Sequence, residues 1–114
     1  MLLDEYISLY LSNERVVLLG DFNDLLIDNP NVFEPFLSKP NEYEFVDYTI
    51  ASGSPYNWSY PDWPSHIDHI LITNELFSNY ESVETLLIDN IYFDTYSDYE
   101  SLVSDHRPLL IIIY

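Results

Sequence analysis

Two polar side chains that could act on a phosphate or a cation follow a short apolar run near the start of the chain. The segment GDFND (residues 20–24) places Asp21 and Asn23 two positions apart, so in an extended backbone both side chains leave on the same face. A carboxylate can bind a cation or polarise water, while a carboxamide can donate a hydrogen bond to a phosphate oxygen without adding negative charge. Alternatively, the segment is a polar turn whose side chains hydrogen-bond the local backbone.

A second polar segment, SHIDHIL (residues 65–71), contains two histidines on either side of an aspartate. His66 and His69 are three positions apart on a predicted strand, so they should point to opposite faces and should not bind one metal ion together. We therefore expect His69 to be a packing or an exposed histidine. Asp68 lies among isoleucines and a leucine, where an unpaired carboxylate is costly, so it needs a partner such as an imidazole N–H.

The third segment, VSDHRPL (residues 103–109), places an acid and an imidazole directly before the last apolar run. If that run lies near the strand that carries Asp68, His106 can present one ring nitrogen to Asp68 and the other to a substrate, which fixes its tautomer. Asp105 leaves the chain on the other side and is free to help hold a cation. Alternatively, the segment is a polar loop in which His106 caps local backbone groups.

The hydrophobic pattern predicts the elements that must position these side chains. Residues 2–12 have helical spacing, and the predicted apolar face contains Leu2, Leu3, Tyr6, Leu9 and Tyr10. Strands are predicted at residues 15–19, 44–50, 56–60, 66–73, 83–88 and 108–114, short helical or irregular segments at 24–39, a turn or short helix at 74–80, and a loop at 89–104. This pattern indicates one small domain of α/β (α+β) class. Strands as apolar as VVLL and LLIII require cover on both faces, whereas the predicted helices can cover only one.

The composition limits the partners that the chain can bind. Three Lys+Arg against 20 Asp+Glu give a formal net charge of −17, so a polyanion would be repelled unless a divalent cation lay between it and the protein. We expect most of the acids to form a solvated surface. The absence of cysteine excludes disulfides and thiolate metal sites. No apolar stretch has the length of a transmembrane helix, and the acidic start of the sequence is unlike a signal peptide.

Together the three polar segments resemble the endonuclease/exonuclease/phosphatase superfamily. This group contains pancreatic-type deoxyribonucleases, abasic-site endonucleases, inositol polyphosphate 5-phosphatases and neutral sphingomyelinases. The likeness rests on GDFN, IDHIL and SDHRPL in this order, each at the edge of an apolar strand, and it extends over most of the 114 residues. It implies a four-layer α/β/β/α sandwich that hydrolyses phosphoesters by in-line attack of water with Mg²⁺, or alternatively Mn²⁺ or Ca²⁺.

The resemblance also implies a role for each matching residue. Asp21 would orient or deprotonate the attacking water, and Asn23 would hydrogen-bond the phosphate. Asp68 would support His106, and His106 would contact the phosphate and stabilise the charge that develops on it. Asp105, together with Asp21, would hold the metal ion.

Aromatic residues that precede the IDHIL segment are candidates for substrate binding. Trp58, Tyr60 and Trp63 lie where members of the superfamily often contact substrate, and we take Trp58 and Trp63 as the candidate substrate-binding pair. Packing of a loop is the alternative role for these side chains.

The sequence lacks counterparts of an asparagine, a metal-binding glutamate and a histidine or tyrosine that the superfamily carries in its N-terminal half. The resemblance therefore implies that residues 1–114 are the C-terminal half of the domain, mostly one mixed or antiparallel sheet with helices on one face. We expect weak or no activity from this half alone, and a small or lipid-linked phosphate ester as substrate rather than duplex DNA. The alternative is a non-catalytic half-domain that binds a partner, or a second copy of itself, through an exposed apolar sheet face.

Overall fold

The computed structural model describes residues 2–114 as a mixed arrangement of helices and antiparallel strands. The helices are α1 (Leu2–Tyr10), α2 (Glu34–Leu37), α3 (Tyr48–Ala51), α4 (Ile88–Tyr92) and α5 (Tyr96–Leu102). The strands are β1 (Val17–Asp21), β2 (Tyr43–Phe45), β3 (Asp68–Thr73), β4 (Tyr80–Thr85) and β5 (Leu109–Ile113). Single 3₁₀ turns occur at Pro55–Asn57 and Asn74–Leu76. Among the described residues, no helix combines the length and apolar character needed to cross a bilayer.

The five strands form two antiparallel sheets, β1–β3–β2 and β4–β5. The predicted α+β class with antiparallel pairing is therefore confirmed. The pairing nevertheless divides the strands between two sheets, where the sequence suggested mostly one. An apolar run identifies a strand, but it does not specify the strand to which it is hydrogen-bonded.

The centre of the fold is β3, which contributes to an apolar core on each of its faces. Leu71 packs with Ile7 of α1 and Phe36 of α2 on one face. Ile70 and Ile72 belong to a second core that includes residues of β4 and β5 on the other face. Helices therefore cover one side of the first sheet, and the β4–β5 sheet covers the opposite side of β3.

This cover does not extend over all of the apolar strand residues. Leu19 of β1 is 63% exposed, and Leu110 and Ile112 of β5 are 38% and 42% exposed. The expectation of incomplete cover thus applies to β1 and β5, while the central strand β3 is covered on both faces.

Helix α1 forms where the periodicity predicts it, but it presents a different face to the core. Asp4 and Ile7 are buried, whereas Leu2 and Leu9 of the predicted apolar face are 83% and 74% exposed. The Lys39 ammonium donates to Asp4 Oδ2 at 2.9 Å, so an acid can lie on the inner face. The prediction of the helix is confirmed, and the predicted buried face is wrong.

Three other predicted segments differ from the structure. The predicted strand at residues 44–50 stops at Phe45 because Asp47 turns inward and α3 begins directly after it. In the predicted strand at 56–60, Pro55 starts a 3₁₀ turn, and an isolated bridge joins only Tyr60 to Ser65. The predicted loop at 89–104 contains most of α4 and all of α5.

Gly20, the next-to-last residue of β1, has a backbone conformation that favours glycine. Its φ angle is +146°, and a Cβ atom there would meet nothing within 4 Å. The backbone conformation, and not a lack of space, therefore accounts for glycine immediately before Asp21.

Candidate functional site

The register of β1 and β3 places two carboxylates side by side at one edge of the first sheet. Asp21 is the last residue of β1, Asp68 is the first residue of β3, and the two are cross-strand partners. Like charges directly opposite each other destabilise an antiparallel pair. A cationic or hydrogen-bond-donating partner is therefore required at this edge.

His106 supplies that partner from the segment that precedes β5. Its Nδ1 lies 2.7 Å from Asp68 Oδ2, which is the contact that the sequence suggested. Its Nε2 lies 3.9 Å from Asp21 Oδ2 and 3.9 Å from Asp105 Oδ1. The structure thus brings three of the predicted site residues around the imidazole ring of a fourth, His106.

The charges around His106 favour its protonated form. Burial acts to lower the pKa of His106, but the hydrogen bond to Asp68 and the negative charges of Asp68, Asp21 and Asp105 together outweigh it. The pKa of His106 is therefore raised above its ordinary value. A protonated ring donates from Nδ1 to Asp68 and keeps a second donor, Nε2–H, on the side of Asp21 and Asp105.

Asn23 adopts a conformation that ties the GDFND segment to its own backbone. The Asn23 N–H donates to Asp21 Oδ1 at 2.8 Å, and the Asn23 φ angle is 51°. This is the turn that the sequence left open as an alternative to a site. It leaves Asp21 Oδ2 facing His106, and the Asn23 side chain is exposed.

Two tyrosines of α5 donate hydrogen bonds to the backbone of Asp105 and His106. Both tyrosines lie in the segment that the sequence predicts as a loop. The Tyr96 hydroxyl donates to the Asp105 carbonyl at 2.7 Å, and the Tyr99 hydroxyl donates to the His106 carbonyl at 2.6 Å. Thr95 caps α5 by accepting from the Asp98 N–H. A Thr followed three positions later by an acid is a helix-start pattern, so TYSD (residues 95–98) was an available signal for this helix.

The aromatic candidates occupy different environments. The Trp58 indole N–H donates to the Ile50 carbonyl, so this ring is directed toward α3, and the Trp63 side chain is 79% exposed. Tyr60 instead lies against His106, with ring centroids 5.1 Å apart and planes inclined by 37°. Tyr60 is therefore the aromatic residue of this group that contacts the candidate site.

A cleft of about 300 Å³ lies beside the Asp68–His106 pair. Its wall includes Leu19 and Leu109 from the two sheets and Tyr99 from α5. The lining is mostly apolar, with the carboxylate and the imidazole at its polar part. The candidate site is thus at the margin of an apolar depression between β1 and β5.

A second cluster of titratable side chains is fully buried, and the prediction of divergent histidines was wrong. His66 Nε2 and His69 Nδ1 lie 2.9 and 2.7 Å from the same oxygen, Asp47 Oδ2. The two side chains converge because β3 begins only at Asp68, so His66 precedes the strand and strand alternation does not apply to it. His69 is buried, as a packing histidine would be.

The hydrogen bonds of this buried cluster identify a structural network around the Asp47 carboxylate. His66 Nδ1 accepts from the Ser59 N–H at 3.2 Å, so the proton of a neutral His66 is on Nε2 and points at Asp47. His69 Nε2 lies 2.8 Å from the Asp24 carbonyl oxygen, to which it donates, and His69 Nδ1 lies 2.7 Å from Asp47 Oδ2. A metal ion beside Asp47 would need a lone pair at His66 Nε2, where the proton of the neutral ring lies. The cluster of Asp47, His66 and His69 is therefore not a metal site in this arrangement.

Arg107, next to His106, is fixed by a bidentate ion pair. Its Nε and Nη2 donate to the two carboxylate oxygens of Asp89 at 2.9 and 2.7 Å, and both side chains are buried. Its Nη1 donates to the carbonyls of Tyr56 and Trp58 at 2.9 and 3.3 Å. The guanidinium thereby joins the His106 segment, α4 and the loop that carries Tyr60.

The carboxylates of the candidate site suit a divalent cation. Asp21, Asp68 and His106 could meet at one ion by distance alone. However, Asp68 and His106 already bind each other, and a protonated imidazole is not a ligand. Asp21 and Asp105 are about half exposed and offer free carboxylate oxygens, and Mg²⁺ commonly binds through one or two carboxylates while it keeps several waters. Carboxylate oxygens of the kind that bind a divalent cation therefore lie at this edge of the sheet.

Comparison with known proteins gives one family. The profile of the Endonuclease/Exonuclease/phosphatase family matches residues 2–106. No curated protein and no solved structure matches the chain.

Proposed function

The chain belongs to the endonuclease/exonuclease/phosphatase family, and from this premise we propose that it hydrolyses a phosphoester with a divalent cation beside His106. Membership by itself indicates hydrolysis of phosphoester bonds in general, as a nuclease or a phosphatase. The metal dependence, the in-line course of the reaction and the residue roles are our proposal. In this proposal, residues of the three polar motifs GDFN, IDHIL and SDHRPL bind the metal ion and carry out the reaction.

The observation that carries the proposal is the position of His106 among three carboxylates. Its Nδ1 is bound to Asp68 at 2.7 Å, which orients the ring and leaves Nε2–H for another partner. Its raised pKa keeps the ring protonated to a higher pH than an isolated histidine. We propose that Nε2–H donates to a non-bridging phosphate oxygen and stabilises the negative charge that grows there in the transition state.

The proposed cation site follows from the balance of charge. The chain has three Lys+Arg, of which Lys39 is paired with Asp4 and Arg107 with Asp89. A phosphate that approaches Asp21 and Asp105 therefore meets repulsion that the paired Lys39 and Arg107 do not offset. Mg²⁺ held by these two carboxylates, with Mn²⁺ or Ca²⁺ as alternatives, would neutralise that repulsion and polarise the phosphate.

The remaining steps are assigned to side chains at the same edge. We propose that Asp21 orients the attacking water or accepts its proton, and that the Asn23 amide hydrogen-bonds a phosphate oxygen from its exposed position. Attack in line with the leaving oxygen requires positioning and charge neutralisation more than covalent chemistry. In this proposal, the general base is one of the groups at this edge.

The substrate class and the extent of the domain are part of the same proposal. With a net charge of −17, we favour a small or lipid-linked phosphate ester over duplex DNA. Tyr60 lies on His106 and could contact the substrate, and Trp63 is exposed nearby in sequence. We also propose that residues 1–114 form the C-terminal portion of the family's domain, since the motifs present here are those of its C-terminal half.

A second function is supported by the exposed apolar residues of β1 and β5. Leu19, Leu110 and Ile112 are between 38% and 63% exposed, which is unusual for the apolar residues of strands beside a core. In this alternative the chain is a non-catalytic interaction module, and the same residues bind a partner chain or a second copy. The catalytic proposal is preferred because an interaction module gives no reason for the Asp68–His106 contact.

Turnover of an aryl phosphodiester with Mg²⁺ tests the proposal. We expect slow turnover by the 114 residues alone, and faster turnover when an N-terminal portion of the family's domain is supplied. In the active form, His106→Ala should reduce kcat by about 10²–10⁴-fold, the range typical of a positioned proton donor.

Matched variants separate the metal site from general effects of charge. Asp105→Asn should raise the Mg²⁺ concentration needed for half-maximal rate, whereas Asp94→Asn, at another exposed aspartate, should leave it unchanged. Turnover that persists in His106→Ala, or that does not depend on a divalent cation, would contradict the proposal. Robust His106-dependent turnover by the 114 residues alone would show that they need no further metal ligand.

A further inference from the structure

Ser59 is a fully buried residue that binds both segments of the candidate site. Its carbonyl accepts from the N–H of Arg107 at 2.7 Å, and Arg107 directly follows His106 in the chain. Its hydroxyl oxygen accepts from the Asp68 N–H at 3.2 Å and from the Ile67 N–H at 3.3 Å. The side chain has no exposed surface.

The Asp68–His106 contact depends on such a bridge because no strand ladder fixes it. Asp68 begins β3 in the first sheet, and His106 precedes β5, which pairs with β4 in the second sheet. The two segments therefore have no shared register that would set the distance between the carboxylate and the imidazole. Beyond the apolar packing of β5 on β3, the 2.7 Å contact therefore depends on tertiary hydrogen bonds.

We propose that Ser59 is a positioning residue that sets the distance and orientation of the Asp68–His106 pair. The inference rests on the proposed function insofar as that pair acts on the phosphate. The Ser59 carbonyl holds the histidine segment, and its hydroxyl holds the aspartate segment, so one rigid residue fixes both.

Ser59 can act in this way because its own position is fixed on both sides. Its N–H donates to His66 Nδ1, and His66 is bound in turn to the buried Asp47. The carbonyls of Tyr56 and Trp58, on the other side, accept from the Arg107 guanidinium. The backbone N–H, the carbonyl and the hydroxyl oxygen of Ser59 are thus all engaged within the described part of the chain.

Ser59→Ala would disturb the two halves of the bridge unequally. It removes the acceptor of the Asp68 and Ile67 N–H groups and leaves the Ser59 carbonyl to bind the Arg107 N–H. The start of β3 should therefore move relative to His106, while the histidine segment stays in place. A displacement of about 1 Å at reacting groups can lower a rate by roughly 100-fold, so we expect kcat to fall by about 10- to 100-fold with KM nearly unchanged.

The first test is a spectroscopic measurement that does not require turnover. A histidine Nδ1–H bound to a carboxylate gives a strongly downfield proton resonance, which can be assigned to His106 by its loss in His106→Ala. We expect this resonance in the unmutated chain and in Ser65→Ala, where the replaced serine donates to the Trp63 carbonyl and does not bridge the two segments. We expect its loss or a clear shift in Ser59→Ala. An unchanged resonance in folded Ser59→Ala would overturn the inference.

The second test uses the unmutated chain, so it decides the matter even if Ser59→Ala does not fold. Hydrogen exchange should be slow at both the Asp68 and the Arg107 amides, because both N–H groups are bound to Ser59. Exchange at either amide as fast as in an exposed loop would overturn the inference. Absence of turnover in the form supplied with the N-terminal portion, together with the expected resonance and exchange, would instead refute the proposed function and leave the positioning role supported.

Discussion

Removal of the buried Asp47 carboxylate is the sharpest test of the hydrogen-bond arrangement around β3. Asp47→Ala deletes the acceptor for His66 Nε2 at 2.9 Å, for His69 Nδ1 at 2.7 Å and for the Ile70 N–H at 2.8 Å. All three donors lie in the buried interior and would lose their partner together. The change therefore leaves three buried donors without their acceptor at once.

The magnitude follows from these three contacts. A buried donor without an acceptor costs about 1–3 kcal/mol, which gives about 3–9 kcal/mol for three donors. Removal of one partner of a buried ion pair costs about 3–5 kcal/mol, within the same range. We therefore expect Asp47→Ala to lower the free energy of unfolding by about 3–5 kcal/mol, a large share of the roughly 5–15 kcal/mol of a typical domain.

Urea unfolding followed by circular dichroism at pH 7 measures this loss. With a typical slope of about 1–3 kcal/mol per molar urea, the midpoint should fall by roughly 2 M. Asp28→Ala, at an exposed aspartate, should change the free energy of unfolding by less than about 0.5 kcal/mol. A loss below about 1 kcal/mol in Asp47→Ala would refute the three buried hydrogen bonds.

The same carboxylate gives a pH dependence of known sign. Burial acts to raise the pKa of Asp47. This effect is outweighed by the hydrogen bonds from His66 and His69, the charge interaction with His69 and the hydrogen bond from the Ile70 N–H. The pKa of Asp47 therefore lies below its ordinary value. A depressed folded-state pKa adds stability above the unfolded-state pKa, and that stability is lost as the pH falls through the folded-state pKa. The advantage of the unmutated chain over Asp47→Asn should be constant above about pH 5 and should shrink below about pH 4. A difference that grows on acidification would contradict this sign.

Two further variants test the contacts that hold the His106 segment. Tyr99→Phe removes the hydroxyl donor to the His106 carbonyl and should cost about 1–2 kcal/mol in urea unfolding, whereas Tyr92→Phe, at a side chain that is 77% exposed, should have no effect. Asp89→Ala leaves the buried Arg107 guanidinium without its carboxylate and should cost about 3–5 kcal/mol, and a cost equal to that of Asp94→Ala would refute the buried pair.

The sequence was most informative where an apolar run ended in polar residues with few conformational choices. The strands that carry Asp21 and Asp68 were predicted close to their observed bounds, and a buried carboxylate beside isoleucines required an imidazole partner. His106 fulfils that requirement in the structure. Because both inferences depend on local pattern and on the cost of an unpaired charge, neither requires knowledge of the tertiary fold.

The sequence was least informative where tertiary contacts decide the conformation. The predicted strand at residues 44–50 has β-branched and aromatic residues, yet Asp47 turns inward to bind two histidines that lie 19 and 22 positions later. The convergence of those histidines could not follow from strand alternation, because it depends on where β3 begins. The buried face of α1 likewise depends on Lys39, which pairs with Asp4 from 35 positions away. Propensity and periodicity contain no term for contacts at such separations.

The charge of the candidate site accounts for its location at the surface and agrees with the proposed cation. Asp21, Asp68 and Asp105 surround a single imidazole ring, so even a protonated ring leaves a formal excess of two negative charges. Such an excess would be very costly in the interior, but Asp21 and Asp105 are about half exposed at the sheet edge, where water screens them. The proposed divalent cation would carry the matching charge, and it could enter because the same two carboxylates face solvent. The excess charge needs solvent in the free protein, and the proposed cation needs the same exposed carboxylates to neutralise a phosphate. Both needs are met at this edge of the sheet. Asp68 can remain the most buried of the three carboxylates because its partner is His106.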